Sequence, residues 1–195
     1  MGECLSLRSS LYSKFVTVNF FRGLGLQEQM SPKYRAIKVL PMTYKVAVVR
    51  EVSASPEKVW SLVTDLPRMG EWSPENLGGE WLDGATCAAV GARFRGDNKN
   101  GDKSWQATVS VGVCDAPKKF VFTLKFKENH LCDWVYEIEP TATGCRVTHA
   151  WVAGTHWEQF APFGKDISGV EDRATHNLRN MGVTLDNLVK ALDTV

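Results

Sequence analysis

His149 and Tyr136 are the residues whose types and setting suit them to proton transfer. His149 alternates with Val147 and Trp151 against Arg146 and Thr148, so strand parity turns its imidazole toward an interior. Tyr136 sits in a similar row with Cys132, Trp134 and Ile138, opposite Asp133, Glu137 and Glu139. A buried imidazole can act as acid or base, and a phenol can donate to a ligand carbonyl. A lone inward histidine also serves as a hydrogen-bonded core residue, and that structural role is the one expected here.

Tryptophan is the most informative residue type. All seven lie within residues 43–195, and Trp105, Trp134 and Trp151 share the inferred inner rows with Phe122, Phe126 and Tyr136. An aromatic hollow with a few polar tips suits flat or long apolar molecules, although large aromatics also simply fill cores. Trp72 and Trp81 fall in a loop region placed to close the mouth of such a hollow. Glu71 and Glu75 lie four apart, but Pro74 makes a common helical face unfavourable, and both read as solvated acids. Arg93 and Arg95 flank Phe94 on what reads as the outer face. His149 and His156 have no metal-ligand spacing, and the sequence has neither Cys-x-x-Cys nor a phosphate-cradling glycine loop. Neither a metal nor a cofactor is expected.

These residues need a sheet and a helix to position them. Residues 44–52 are a β-branched run, hence a strand, and Ser55-Pro56 opens a helix carrying Val59, Trp60, Val63 and Leu66. Pro67, Gly70 and Pro74 break the next stretch into a short second helix or loop around 69–72. A short strand near 79–83 and another at 91–97 lead to a turn at Asn98-Lys99-Asn100-Gly101. Residues 104–113 alternate cleanly, with Trp105, Ala107, Val109, Val111 and Val113 on one face. The rows of Phe120, Phe122, Leu124 and Phe126, then of Tyr136, then of His149, add three more strands. Ser168-Gly-Val-Glu171 reads as a capping box, opening a helix to about residue 193 with a stripe of Ala174, Leu178, Met181, Leu185, Leu188 and Leu192. Gly182 inside it costs about 1 kcal/mol relative to alanine, which points to a close approach at that backbone. Met181 and Gly182 are therefore placed against the hollow.

Composition bounds the partners. Lys+Arg 23 against Asp+Glu 22 argues against a nucleic-acid partner, and no apolar run reaches the ~18 residues that cross a bilayer. Cys4, Cys87, Cys114, Cys132 and Cys145 make no disulfide framework, so the expectation is a reduced, cytoplasmic protein. Residues 1–42 differ in character, with six basic and two acidic residues and no sustained period. They read as a disordered leader or a start called too far upstream, with Met30 or Met42 as the true one. Met1-Gly2-Glu3-Cys4-Leu5-Ser6 also matches a myristoylation pattern, a short motif given less weight. Residues 43–195 form the domain.

The order strand, one or two short helices, six strands, long helix implies an antiparallel sheet covered on one side by the helix. One helix cannot fill a strongly curved sheet, so a cavity between them is expected. Four segments, 52–60 (VSASPEKVW), 65–74 (DLPRMGEWSP), 90–96 (VGARFRG) and 144–148 (GCRVT), carry a resemblance to the START-like, polyketide cyclase/dehydrase-type (SRPBCC) superfamily. With the last helix it spans residues 44–193. It implies an α+β helix-grip fold: a curved seven-stranded antiparallel sheet around a long C-terminal helix, with two short helices after the first strand. It also implies a cavity for a lipid, polyketide-like or aromatic metabolite. No catalytic residue carries over, because the superfamily mixes cyclases, hydrolases, carriers and co-chaperones.

Three functions emerge as expectations. The leading one is a carrier or binding protein for an apolar small molecule, held by Trp72, Trp81, Trp105, Phe122, Trp134, Tyr136, His149, Trp151, Met181 and Gly182. The second is a cyclase or dehydratase using His149 and Tyr136 for proton transfer. The third is a co-chaperone-like interaction module, which would show a filled core and an exposed apolar patch. Ligand identity and oligomeric state are not legible from the sequence.

Overall fold

A computed structural model describes residues 46–193. The leader, with its Gly2 and Cys4 pattern and the alternative starts, lies outside the described residues. β1 (Val46–Val52) leads through Ser55, whose hydroxyl accepts the Lys58 N–H at 3.3 Å, into α1 (Pro56–Val63). A short 3₁₀ helix comes next at Leu66–Glu71, with Pro67 in its first turn. Six strands succeed one another: β2 (Asn76–Trp81), β3 (Arg93–Asn100), β4 (Lys103–Asp115), β5 (Lys119–Phe126), β6 (Asn129–Thr141) and β7 (Gly144–Ala153). All neighbours are antiparallel, in the order β1-β7-β6-β5-β4-β3-β2, and the chain closes with α2 (Trp157–Ser168) and α3 (Arg173–Asp193). This is the helix-grip, α+β arrangement: a curled seven-stranded sheet with the last helix across its inner face.

Strand rows turn inward largely by parity, and irregularities account for the departures. Val111 pairs with Phe122 and Val113 with Val121, which leaves Gly112 as an extra residue in β4. Past this bulge Val113 moves off the inner row and Cys114 joins it, opposite the buried Phe120. A second irregularity, where Leu124 pairs with Cys132 but Lys125 with His130, leaves Leu131 as an extra residue in β6. Phe126, at the end of β5, stays on the row of Leu124: it is 56% exposed yet lines the same hollow and packs against Phe160. The β3–β4 turn is Gly101-Asp102, later than expected, because pairing continues to Asn100 and Lys103 and Gly101 supplies the positive φ of 59°. At β2, Gly79 has a φ of 155°, and a side chain there would fall on the Arg95 carbonyl oxygen.

The C-terminal region holds two helices where one is expected. Ser168 ends α2 instead of capping α3: its hydroxyl donates to the Gly164 carbonyl at 2.7 Å, and Gly169 comes after it in the left-handed region. Asp172 starts α3, accepting the Thr175 N–H at 3.1 Å. The 21 residues of α3 make it about 31 Å long. Its buried face is Asn177, Met181, Thr184, Leu185, Leu188 and Leu192; Leu178 lies outside it and is exposed.

Apolar packing forms two clusters. Val59, Val63, Phe120, Val147 and Leu188 belong to one; Leu131, Cys132, Trp151, Trp157 and Met181 make the other. Trp134 packs against both. Arg93 and Arg95 lie on the outer face, paired with Asp83 and Glu80. Cys114, Cys132 and Cys145 are free thiols. Among the described residues no helix is long and apolar enough to cross a membrane.

Candidate ligand-binding site

Between sheet and helices lies a hollow of two adjoining lobes. The smaller, about 110 Å³, runs under the middle of the sheet, where Phe122, Trp134, Tyr136 and His149 face Met181 and Thr184 of α3. The larger, about 480 Å³, is walled by Trp105, Trp134, Trp151, Trp157 and Phe160, with Arg173 and Asn177 from the start of α3. Glu75, Asn98, Ala107, Leu124 and Trp134 line both. The larger lobe lies within the ordinary size range of small-molecule sites.

Of the residues expected at the site, Phe122, Trp134, Tyr136, His149 and Met181 meet in the smaller lobe, and Trp105, Trp134 and Trp151 in the larger. Three do not line either lobe. Trp72 is fully buried beside the 3₁₀ turn, with the Arg68 guanidinium 5.9 Å from its ring and its carbonyl accepting the Asn187 amide at 3.1 Å. Trp81 packs edge-on against Phe94 at 5.3 Å. Gly182, one residue beyond Met181 and so about 100° further round the helix, faces β1. A β-carbon there would meet only Arg50, at 3.9 Å, so the close approach expected is absent.

Tyr136 and His149 form the polar end of the smaller lobe. Tyr136 Oη and His149 Nδ1 are buried and have no hydrogen-bond partner among the described residues. Burial drives the imidazole from its ordinary value near 6.5 down to about 3, and raises the phenol well above its ordinary range. At neutral pH both are therefore uncharged: a phenol able to donate and an imidazole able to accept or donate, according to its tautomer.

Where the lobes meet, Glu75 sits in a polar cluster that local sequence does not announce. Rather than solvated, its side chain is only 13% exposed, and Arg173 Nη1 donates to both carboxylate oxygens, at 2.7 and 2.9 Å. Asn180 Nδ2 donates to the same carboxylate at 3.3 Å, and His176 Nε2 lies 3.6 Å away. Burial outweighs Glu75 and holds the His176 imidazole below its ordinary value. Glu71 does behave as an exposed acid, held by Arg68 through two 2.7 Å bonds. On the other side of Arg173, the guanidinium carbon stands 5.7 Å from the Trp105 ring centroid. Glu75, Arg173, Asn177, Asn180 and Thr184 thus join the site without having been expected there. The one available signal is the helical spacing Asn177, Met181, Thr184, Leu188, which sets two polar residues on the buried face.

Among the described residues no group of three His, Cys, Asp or Glu side chains is arranged to hold a metal ion. The family described as polyketide cyclase/dehydrase and lipid transport matches residues 43–192. A comparison with curated protein sequences gives no match. Among solved structures, a Polyketide_cyc-like protein of Corynebacterium glutamicum is 26% identical, with a TM-score of 0.52 over 75% of this chain and 90% of its own. A protein of Chromobacterium violaceum, 12% identical, has a TM-score of 0.56 over 75% of this chain and 96% of its own. An AHSA1-like protein of Aeromonas hydrophila, 15% identical, has a TM-score of 0.53 over 76% of this chain and 92% of its own. The last two likenesses concern the fold.

Proposed function

This chain belongs to the polyketide cyclase/dehydrase and lipid transport family, and we propose that it binds and carries an apolar small molecule without transforming it. The observation that carries the reading is the two-lobed aromatic hollow, whose polar end is the unpartnered Tyr136 hydroxyl and His149 Nδ1. An apolar body occupies the tryptophan-walled lobe, and a small polar group reaches past Trp134 to the Tyr136–His149 pair. Binding then removes aromatic surface from water and gives two buried polar atoms a partner.

Carriage is favoured over catalysis by the state of the titratable groups. An imidazole with a pKa near 3 is a weak base, and a phenol raised above its usual range is a weak acid. Glu75, the carboxylate of the hollow, is committed to Arg173. The co-chaperone-like alternative calls for a filled interior, and the hollow argues against it. The binding unit we propose comprises residues 43–195.

Native mass spectrometry of freshly purified protein, paired with titration of the neutral dye N-phenyl-1-naphthylamine, tests the reading. The expected result is a co-purified small molecule or saturable dye binding that apolar competitors displace. A protein that binds neither overturns it.

A further inference from the structure

Asn177 is fully buried, its Nδ2 has no hydrogen-bond partner among the described residues, and it lines the larger lobe. A buried amide donor left without an acceptor costs folding free energy, which is recovered when an acceptor arrives. Resting on the carrier reading above, we infer that the bound molecule is uncharged and presents a carbonyl oxygen to Asn177 Nδ2 in the larger lobe. The ligand class is thus a neutral apolar carbonyl compound: a ketone, ester or amide rather than a free acid.

Charge excludes the acid. Arg173, the cation beside Asn177, already donates to both oxygens of Glu75 and has the Trp105 ring on another side. That pair brings no net charge to the hollow. A ligand carboxylate at Asn177 would be an additional buried anion next to Glu75, with its desolvation uncompensated. Lys125, the other cation of this lobe, is exposed at its edge and keeps its ammonium in water. A neutral carbonyl meets none of these costs and gives the buried Asn177 Nδ2 an acceptor. The Asn177 oxygen is bound only loosely, 3.5 Å from Arg173 Nη1, so the amide has little else to hold it.

Three probes of one shape separate the contributions: 2-acetylnaphthalene, 2-ethylnaphthalene and 2-naphthoate, measured by equilibrium dialysis with wild type and Asn177→Leu. The wild type is expected to bind the ketone at least tenfold tighter than the acid. Asn177→Leu should weaken the ketone about fivefold or more and leave the hydrocarbon within twofold. Its melting temperature should hold, since the lost donor has no partner; should leucine fail to fold, Asn177→Ala asks the same question. Equal loss of ketone and hydrocarbon, or no loss of either, overturns the role of Asn177 while carriage stands. Acid binding as tight as ketone binding overturns the neutral-ligand inference alone. If no probe binds the wild type, the carrier reading falls and takes this inference with it.

Discussion

Tyr136 and His149 stand directly opposite each other in the β6–β7 ladder, and their rings stack with centroids 4.0 Å apart and planes 14° from parallel. Trp134 adds a third ring, 5.8 Å from the imidazole. Each ring excludes water from the next, and this is why the histidine is neutral: desolvation alone lowers its pKa.

That stack makes stability depend on pH. Between the unfolded value near 6.5 and the folded value of about 3, the unfolded chain binds the proton and the folded one does not. Stability contributed by the neutral imidazole is thus full above pH 6.5 and is lost as pH falls toward 3, by up to about 1.4 kcal/mol per pH unit. His149→Phe keeps the ring and removes the proton. Urea unfolding at pH 7, 6 and 5 should show the variant losing less stability than wild type on acidification. Parallel curves for the two proteins would mean that the imidazole protonates in place without penalty.

Glu75 and Arg173 tie the segment before β2 to the start of α3. Both side chains are largely buried, so removing one partner strands the other, at a cost of about 3 kcal/mol. Glu75→Leu and Arg173→Met should each destabilise by about that amount, and the double variant by much less than the sum. A double-mutant cycle from chemical denaturation measures the coupling. Additive losses would show that the pair contributes nothing as a pair.

Two glycines are expected to respond in opposite ways. Gly182→Ala adds a methyl with only Arg50 nearby, at 3.9 Å, and should stabilise α3 by up to about 1 kcal/mol. Gly79→Ala places the same methyl against the Arg95 carbonyl and should destabilise severely or prevent folding. Thermal melts of the two variants decide this. A destabilised Gly182→Ala would restore the close approach expected from the sequence.

Ala107 lines both lobes, so Ala107→Leu puts new volume where they meet. Dye affinity should fall at least tenfold, about 1.4 kcal/mol, with the melting temperature nearly unchanged. Fluorescence titration and a melt test this together. A loss of about 1–3 kcal/mol in stability would indicate a packed wall instead.

How much of the molecule was legible depended on the range of the interaction. Alternation identifies β4 from Trp105 to Val111, because inner and outer faces differ in polarity. It then misleads at Val113, since a bulge at Gly112 depends on how β5 pairs across from it. Helical period finds Met181, Leu185, Leu188 and Leu192 but assigns Leu178 to the face that Asn177 occupies: hydrophobicity favours leucine, whereas the Arg173–Glu75 cluster favours the amide. α2 escapes because Pro162 and Gly164 interrupt its period and His156 makes no side-chain cap. Glu75 escapes because its partner is 98 positions away, a distance no local pattern spans.

The tryptophan wall of the larger lobe has an optical consequence. Trp105, Trp134, Trp151 and Trp157 surround it, so four of the chain's seven indoles are in position to touch whatever enters. Excitation in the near ultraviolet is therefore absorbed mainly at the lobe itself. A guest whose absorption overlaps indole emission takes up that energy by short-range transfer, and one without such absorption shifts the emission to the blue as it displaces solvent. The protein carries its own gauge of loading, readable without a label from the intensity and colour of its intrinsic fluorescence.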